Sequence, residues 1–474
     1  MGHSRTIAEK ARTPAYAFPE PAVETAPWDP DDSPARARVE TALIIAGLGA
    51  MLLILPRYAW GDGSYRYVQL AAMLTQGTMP DAKYSMLGPV LSAPLWLAGK
   101  AFGAEEWWCL RYNAFLLIGG VTFCYLALRG KIPRRLLRTF ILLLVFGSMF
   151  PFHQLWYYGE VFTAILVMTG TVAILINKVR PGWFAIVIAV ANTPATLPAL
   201  TLLTVHRIWD SRRLRWALAV PAAVTLVLLE SWVRRGSPFA TGYETNHGNP
   251  TIMPYSGLPG FSYPIFFGLL SLTLSFGKGL LFFAPGLFLP ARGRLRGLAG
   301  RCKGIDPTCP YDLWMAFVIG LILTYATYWS WSGATFWGPR YLLFASIPAS
   351  FALAVRLFQP GPSIAADVIT VVALGMSLWA GLNGAVFGDV DTSKVCWPDG
   401  NGLYEAPLCY YTPEFSALWY PFVENKTLTT GQQIYLLYGL AVAAYIMWRP
   451  VIRLAREAGG LLAPAVVRAR SMRW

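Results

Sequence analysis

Residues 364–387 read IAADVITVVALGMSLWAGLNGAVF, with Asp367 as the one charged side chain. A helix of that length crosses a hydrocarbon core of roughly 30 Å, which takes about 20 helical residues. Outward from it, comparable apolar blocks occupy 41–56, 107–128, 139–152, 161–177, 216–232, 311–330, 341–357 and 431–448. The apolar stretch 183–206 is interrupted by Asn192, Pro194 and Pro198, which predicts two short helices meeting at a break. The stretch 264–290 is interrupted by Gly277-Lys278-Gly279, which predicts an interfacial helix followed by one span. The expected fold is an all-α polytopic membrane protein with about twelve transmembrane helices. Composition agrees, since 55% hydrophobic against 14% charged residues leaves too little polar surface to clothe a soluble domain.

The formal net charge of +14 is distributed by position. Arg and Lys gather in Arg129 to Arg138, Lys178 and Arg180, Arg207 to Arg215, Arg292 to Lys303, and the tail from Arg449 to Arg473. Such excess marks cytoplasmic loops, and under a twelve-span count every cluster falls on one side. This predicts cytoplasmic termini and makes nucleic-acid binding unnecessary as an explanation of the charge. Residues 1–38, interrupted by Pro14, Pro19, Pro21, Pro27, Pro30 and Pro34, are expected to be a disordered cytoplasmic tail, and 451–474 a basic cytoplasmic tail. No cleavable signal peptide is expected, because the first apolar block comes late and lacks a small-residue cleavage site.

The external loops are then 57–106, 233–263 and 388–430. Cys396 and Cys409 lie in the last of these, at a spacing that suits a disulfide in an oxidising compartment, whereas Cys302 and Cys309 lie in a basic loop and are expected to be reduced. No carboxylate cluster of the metal-binding type is apparent, and no metal or other cofactor is expected.

The first external loop opens Trp60-Gly61-Asp62-Gly63-Ser64-Tyr65-Arg66. Tyr67, Leu70, Ala71 and Leu74 then fall on one face at helical spacing, with Arg66, Gln69 and Gln76 on the other, which predicts a helix lying at the membrane surface. Lys83-Tyr84-Ser85 and the Pro-bearing run from Leu87 to Leu97 follow, read as a second interfacial helix. An acidic residue directly after the first span, followed by juxtamembrane helices, resembles the GT-C glycosyltransferases. These are integral-membrane enzymes of polyprenyl-phosphate-linked sugars, including protein mannosyltransferases and lipid A aminoarabinose transferases. The Lys83-to-Pro94 segment resembles the Lys-Pro-Pro-Leu region of that class, keeping only the Lys and a later Gly-Pro. Ser275-Phe276-Gly277-Lys278-Gly279-Leu280, Phe336-Trp337-Gly338-Pro339-Arg340-Tyr341, and Trp232 to Pro238 leading to Thr241-Gly242-Tyr243 resemble patterns in bacterial membrane glycosyltransferases.

The resemblance implies an inverting sugar transfer at the external face of a bacterial inner membrane, from a polyprenyl-phosphate sugar to a glycan, glycolipid or protein acceptor, with Asp62 as catalytic base. The chemistry suits these residue types. The acceptor hydroxyl must lose a proton to a carboxylate, and the leaving phosphate needs cations. Lys278, Arg340 and Lys83 are the candidates for that phosphate. His153, Glu160, Tyr243 and His247 are candidates for the sugar or acceptor, and Glu230 is expected to pair with Arg234 one turn on. Plainer readings exist for each: Asp62 between glycines suits a turn, and Lys278 and Arg340 suit interfacial anchors. Trp156, Tyr157 and Tyr158 suit an interfacial aromatic belt. A secondary transporter or lipid flippase is the alternative function, although charges gather at span ends rather than mid-span. A non-enzymatic scaffold would leave the long first loop unexplained.

Overall fold

The computed structural model describes residues 32–81, 83–244, 258–334, 336–361, 363–388 and 407–471, with side chains to Gly460. Among these the chain is helical, with isolated bridges such as Tyr58–Trp156 in place of strands. In chain order the α-helices are α1 (Pro34–Leu53), α2 (Asp62–Gln76), α3 (Leu87–Leu91), α4 (Ala93–Ala101), α5 (Glu105–Cys109) and α6 (Tyr112–Leu128). Next come α7 (Arg134–Phe146), α8 (Phe150–His153), α9 (Gly159–Leu175), α10 (Val179–Asn192), α11 (Leu197–Ser211), α12 (Ala219–Arg235) and α13 (Ile265–Leu274). The last are α14 (Leu280–Phe283), α15 (Arg292–Leu298), α16 (Thr308–Ala326), α17 (Ser346–Phe358), α18 (Ile364–Phe387), α19 (Pro407–Tyr411) and α20 (Thr430–Ser471).

Among the described residues, six stretches are long and apolar enough to cross a membrane: Glu105–Leu128, Leu214–Arg235, Thr308–Ala326, Arg340–Phe358, Ile364–Phe387 and Thr430–Gly460. The chain is an integral membrane protein by this measure, and the twelve spans expected are not all present as single long helices. The block 139–152 divides into α7 and the one-turn α8 around Gly147 and Pro151. The expected span within 280–290 is not a regular helix, because Pro285 follows α14 and the chain continues as a 3-10 turn, Pro285–Phe288. The stretch 183–206 does divide as its prolines require, into α10, a 3-10 turn at Pro194–Thr196, and α11. At the N-terminus, α1 begins at Pro34, inside the segment expected to be disordered. Ser33 accepts from the Arg36 amide as N-cap, and proline is well suited to the first helical turn. Residues 1–31 lie outside the described part.

Burial orders the bundle. The apolar window of Arg340–Phe358 is 83% buried inside the protein and that of Leu214–Arg235 only 22%, so α17 is central and α12 peripheral. α7 packs on α17, and every residue from Phe140 to Phe146 is buried, whereas Arg134, Arg135 and Thr139 keep one side of its first half partly exposed. α9 and α10 approach closely because Gly170 faces Gly182, where a Cβ would lie 2.6 Å from the opposing carbonyl oxygen.

The bundle has two chemically distinct ends. At one, the basic connections meet: the Lys303 amide donates to the Lys131 carbonyl at 2.8 Å, Arg138 pairs with Glu40 at 2.8 Å, and Arg453 pairs with Asp367 at 3.0 Å. At the other lie Asp62, Tyr84, Glu160, Tyr243 and Arg340.

Candidate active site

Asp62 opens α2. Gly61 before it has φ of +54°, a backbone conformation that side-chain-bearing residues rarely adopt, and Gly63 after it lies against the Tyr157 carbonyl. The two glycines thus serve a sharp helix entry pressed against the 156–158 segment, and Asp62 is the first helical residue rather than a free turn residue. That segment is itself held by Asn113 of α6, whose Nδ2 donates to the Trp156 and Tyr158 carbonyls at 2.7 and 2.9 Å.

The Asp62 carboxylate is shared between two partners. Oδ2 pairs with the Arg340 guanidinium, and Oδ1 accepts from the Tyr84 hydroxyl at 2.5 Å. Arg340 also meets Glu160 at 3.1 Å through Nε, an ion pair rather than an aligned hydrogen bond. Its guanidinium lies over the rings of Phe336, Tyr158 and Tyr341 at 4.7, 5.1 and 5.0 Å. Burial pushes the Asp62 carboxyl up, but Arg340, the Tyr84 hydroxyl and Arg66 outweigh it and hold the group below the usual carboxylate range. Tyr84 is pushed up, first by burial and then by the Asp62 charge, so it remains a hydrogen donor.

Tyr84 is positioned from outside its own loop. Glu230 of α12 accepts from the Ser85 hydroxyl at 2.8 Å and the Met86 amide at 2.6 Å, and pairs with Arg234 at 3.0 Å as the sequence predicts. Arg234 in turn donates to the Tyr84 carbonyl at 2.8 Å and the Pro80 carbonyl at 3.0 Å. At the break between α10 and α11, Asn192 accepts from the Gly88 amide at 3.0 Å and donates to the Gly159 carbonyl at 3.1 Å.

Lys83 is exposed, with its ammonium 5.2 Å from the centre of the Tyr84 ring and 5.6 Å from that of Tyr243. Tyr243 and Lys83 therefore flank the mouth of the site, where the Asp62 side chain is still 23% exposed. His247 lies outside the described residues, as does Cys396. Cys409, the expected partner of Cys396, is disulfide-bonded, and Cys109, Cys124, Cys302 and Cys309 are free. Among the described residues no group of three or more His, Cys, Asp or Glu is placed to hold a metal.

Several expected roles change. Lys278 is buried, and its ammonium donates to the Phe336 carbonyl and to that of Gly338 at 3.2 Å. It is occupied in fixing the turn that presents Arg340, so it is not positioned to hold a phosphate. Gly277 beside it permits contact with protein rather than a ligand, since its amide donates to the Tyr410 carbonyl at 2.9 Å and a Cβ would lie 2.1 Å from the Cys409 carbonyl oxygen. His153 has no exposed surface. Its Nδ1 meets the Met149 carbonyl at 2.9 Å, and its ring packs edge-on against Trp337 behind the Arg340 turn, out of reach of a sugar. Trp156, Tyr157 and Tyr158 are buried, with Trp156 and Tyr158 stacked, and do not form a membrane-surface belt.

Arg66, assigned to the polar face of its helix, is buried. It donates to the Ser85 carbonyl at 3.2 Å and lies over the Tyr84 ring at 5.3 Å. An arginine can turn inward where carbonyls and a carboxylate await it. Arg66 and Tyr84 are the site residues that sequence reasoning missed. Their one available signal was placement, a helical turn after Asp62 and directly after Lys83.

No protein-family model matches the sequence, and no curated protein does. Among solved structures the chain is similar to ArnT from Cupriavidus metallidurans in the apo state, with 12% identity, a TM-score of 0.47, and coverage of 87% of this chain and 77% of that one. It is also similar to ArnT from the same organism bound to undecaprenyl phosphate, with 14% identity, a TM-score of 0.48, and coverage of 88% and 78%.

Proposed function

We propose that this chain is a GT-C-type membrane glycosyltransferase that moves a sugar from a polyprenyl-phosphate donor to an acceptor hydroxyl. The observation that carries the reading is the Asp62–Arg340–Glu160 cluster, a carboxylate and a guanidinium side by side at one end of the bundle. In the transfer, the acceptor oxygen attacks the anomeric carbon as the bond to the phosphate oxygen breaks, and the electron pair leaves with the phosphate. Asp62 takes the hydroxyl proton as general base. Arg340, with Arg66 and the exposed Lys83, offsets the charge developing on the phosphate. Attack opposite the leaving group inverts the anomeric centre. Glu160 keeps Arg340 aligned while Asp62 exchanges partners. The apolar groove of about 730 Å³ along α6, α9 and α10 suits the isoprenoid chain. Its Tyr112 packs on Tyr157, whose carbonyl abuts Gly63 beside the base.

The basic end fits the cytoplasmic side of a bacterial inner membrane, leaving Asp62 on the external face. The test is purified protein in nanodiscs with a panel of labelled polyprenyl-phosphate sugars and candidate acceptors. Sugar transfer that Asp62→Asn abolishes supports the reading. Failure to transfer any donor, with flux of the intact lipid across vesicles, would establish the flippase reading instead.

A further inference from the structure

At the end of the bundle away from Asp62, α1, α7, the end of α17 and α20 enclose a second groove, of about 790 Å³. Its floor is apolar, built by Leu142 of α7, Phe358 at the end of α17 and Ile446 of α20, with the exposed Trp448 at its edge. Its rim carries Arg36, Arg135, Arg449, Arg453 and Arg456, against Glu40 as the lining carboxylate.

These arginines differ in what already balances them. Arg36 is held by Glu40 at 2.7 Å, and Arg453 by Asp367 at 3.0 Å and Glu457 at 3.7 Å. Arg135 lies over the Phe358 ring at 5.6 Å. Arg449 and Arg456 are exposed and, among the described residues, have no carboxylate within ion-pair range. Residues 449, 453 and 456 follow the spacing that lines up one face of a helix. The groove thus combines an apolar floor beside a membrane-spanning stretch of α20 with a cationic stripe at the end of that stretch.

We propose that this groove binds an anionic phospholipid, with the phosphate between Arg449 and Arg456 and an acyl chain along Leu142, Phe358 and Trp448. Charge and shape together select the occupant. A soluble phosphate gains nothing from the apolar floor, and a zwitterionic lipid brings its own cation against the arginine stripe. Basic pockets between spans on the cytoplasmic side recognise acidic headgroups by this chemistry. The site is separate from the Asp62 cluster and does not depend on the function proposed for it.

The test is native mass spectrometry of the full-length protein from mixed micelles holding equal phosphatidylglycerol and phosphatidylcholine. The expected result is saturable one-to-one retention of phosphatidylglycerol and loss of phosphatidylcholine. The double variant R449Q/R456Q should bind about twenty-five-fold more weakly, because each arginine near the surface contributes about a fivefold factor. R449K/R456K should keep most of the binding, which separates lost charge from lost fold. Equal retention of the two lipids overturns the proposal, and so does unchanged phosphatidylglycerol binding in the double glutamine variant. Competition by free glycerol phosphate at the lipid's own concentration also overturns it, since that would make the site a phosphate site without a chain.

Discussion

Both ends of the bundle hold buried arginines, Arg138 with Glu40 at the basic end among them, but they differ in the arginines left at the surface. At the Asp62 end, Arg340 and Arg66 are buried and committed to carboxylates, carbonyls and aromatic rings. At the basic end, Arg449 and Arg456 are exposed beside a groove. A buried cation is tolerated where its partners are fixed, so it reports a constructed site. An exposed cation at a span end reports an environment, either the membrane surface or the side on which the loop was retained. Charge alone therefore does not mark chemistry in this molecule. Burial with a partner does not mark it either, since Arg138 is buried with Glu40 at the basic end; the Asp62 end differs in that its buried arginine meets a carboxylate that stays partly exposed.

The sharpest way to break the comparison is sidedness. In a cysteine-light background, a membrane-impermeant maleimide applied outside should label Ser64→Cys beside Asp62. It should leave Gly130→Cys and Gly297→Cys, in the basic connections, unlabelled until the membrane is opened. Labelling at Gly130 in sealed cells would invert the two ends. The positions Gly248 and Gly400, in the loops that the sequence leads one to expect outside, lie beyond the described residues.

Next in size is the base. Asp62→Asn keeps the side chain's shape and its reach to Tyr84 and Arg340 but removes basicity, so turnover should fall by about 10² or more with the fold intact. Donor binding should survive or tighten, since Arg340 loses its anionic competitor. Near-normal turnover would remove Asp62 from the chemistry.

A smaller effect separates two roles for Lys278. As a phosphate ligand, its loss would raise the donor dissociation constant. Placed as it is, bonded to the Phe336 and Gly338 carbonyls, Lys278→Met should instead cost about 2–4 kcal/mol of stability, because two charge-assisted bonds go and two buried carbonyls lose their donor. kcat should fall as Arg340 loses its support, with donor affinity changed less than kcat. Thermal unfolding beside donor titration distinguishes the two. Reducing the disulfide at Cys409 should act in the same direction more weakly, through the Gly277–Tyr410 contact.

Much of the scaffold was legible because lipid and proline act locally. Pro194 and Pro198 divide 183–206 whatever surrounds them, and the 364–387 block forms one helix, α18. The span count was less legible, because α7 and α9 are short helices buried by their neighbours, and hydropathy does not separate burial in protein from burial in lipid. In the site, Asp62, Glu160 and Arg340 stood out as charges at span ends, and the structure brings them together. Lys278 stood out for the same reason but turns inward, where only the positions of the 336 and 338 carbonyls decide its role. Tyr84 and Arg66 carry no pattern of their own. Their contribution arises from a clamp by Glu230 and Arg234, far away in sequence.

That clamp yields the smallest and most specific expectation. Tyr84→Phe removes one hydrogen bond from the Asp62 carboxylate and keeps the ring that Arg66 and Lys83 face. Burial raises the Asp62 carboxyl, and Arg340, Tyr84 and Arg66 together lower it further than burial raises it. Losing the Tyr84 contribution must move it upward. Because the folded value lies below the unfolded one, this carboxylate's contribution to stability is complete above the usual carboxylate range and is lost as pH falls through the folded value. In Tyr84→Phe that contribution should therefore be smaller and its loss complete at a higher pH, and the acid limb of kcat/KM should move to higher pH than in the parent. At neutral pH Asp62 remains ionised, so turnover there should stay within about tenfold of the parent. An acid limb that moves to lower pH, or a collapse of turnover at neutral pH with an unmoved limb, would show that Tyr84 touches the substrate rather than setting the base.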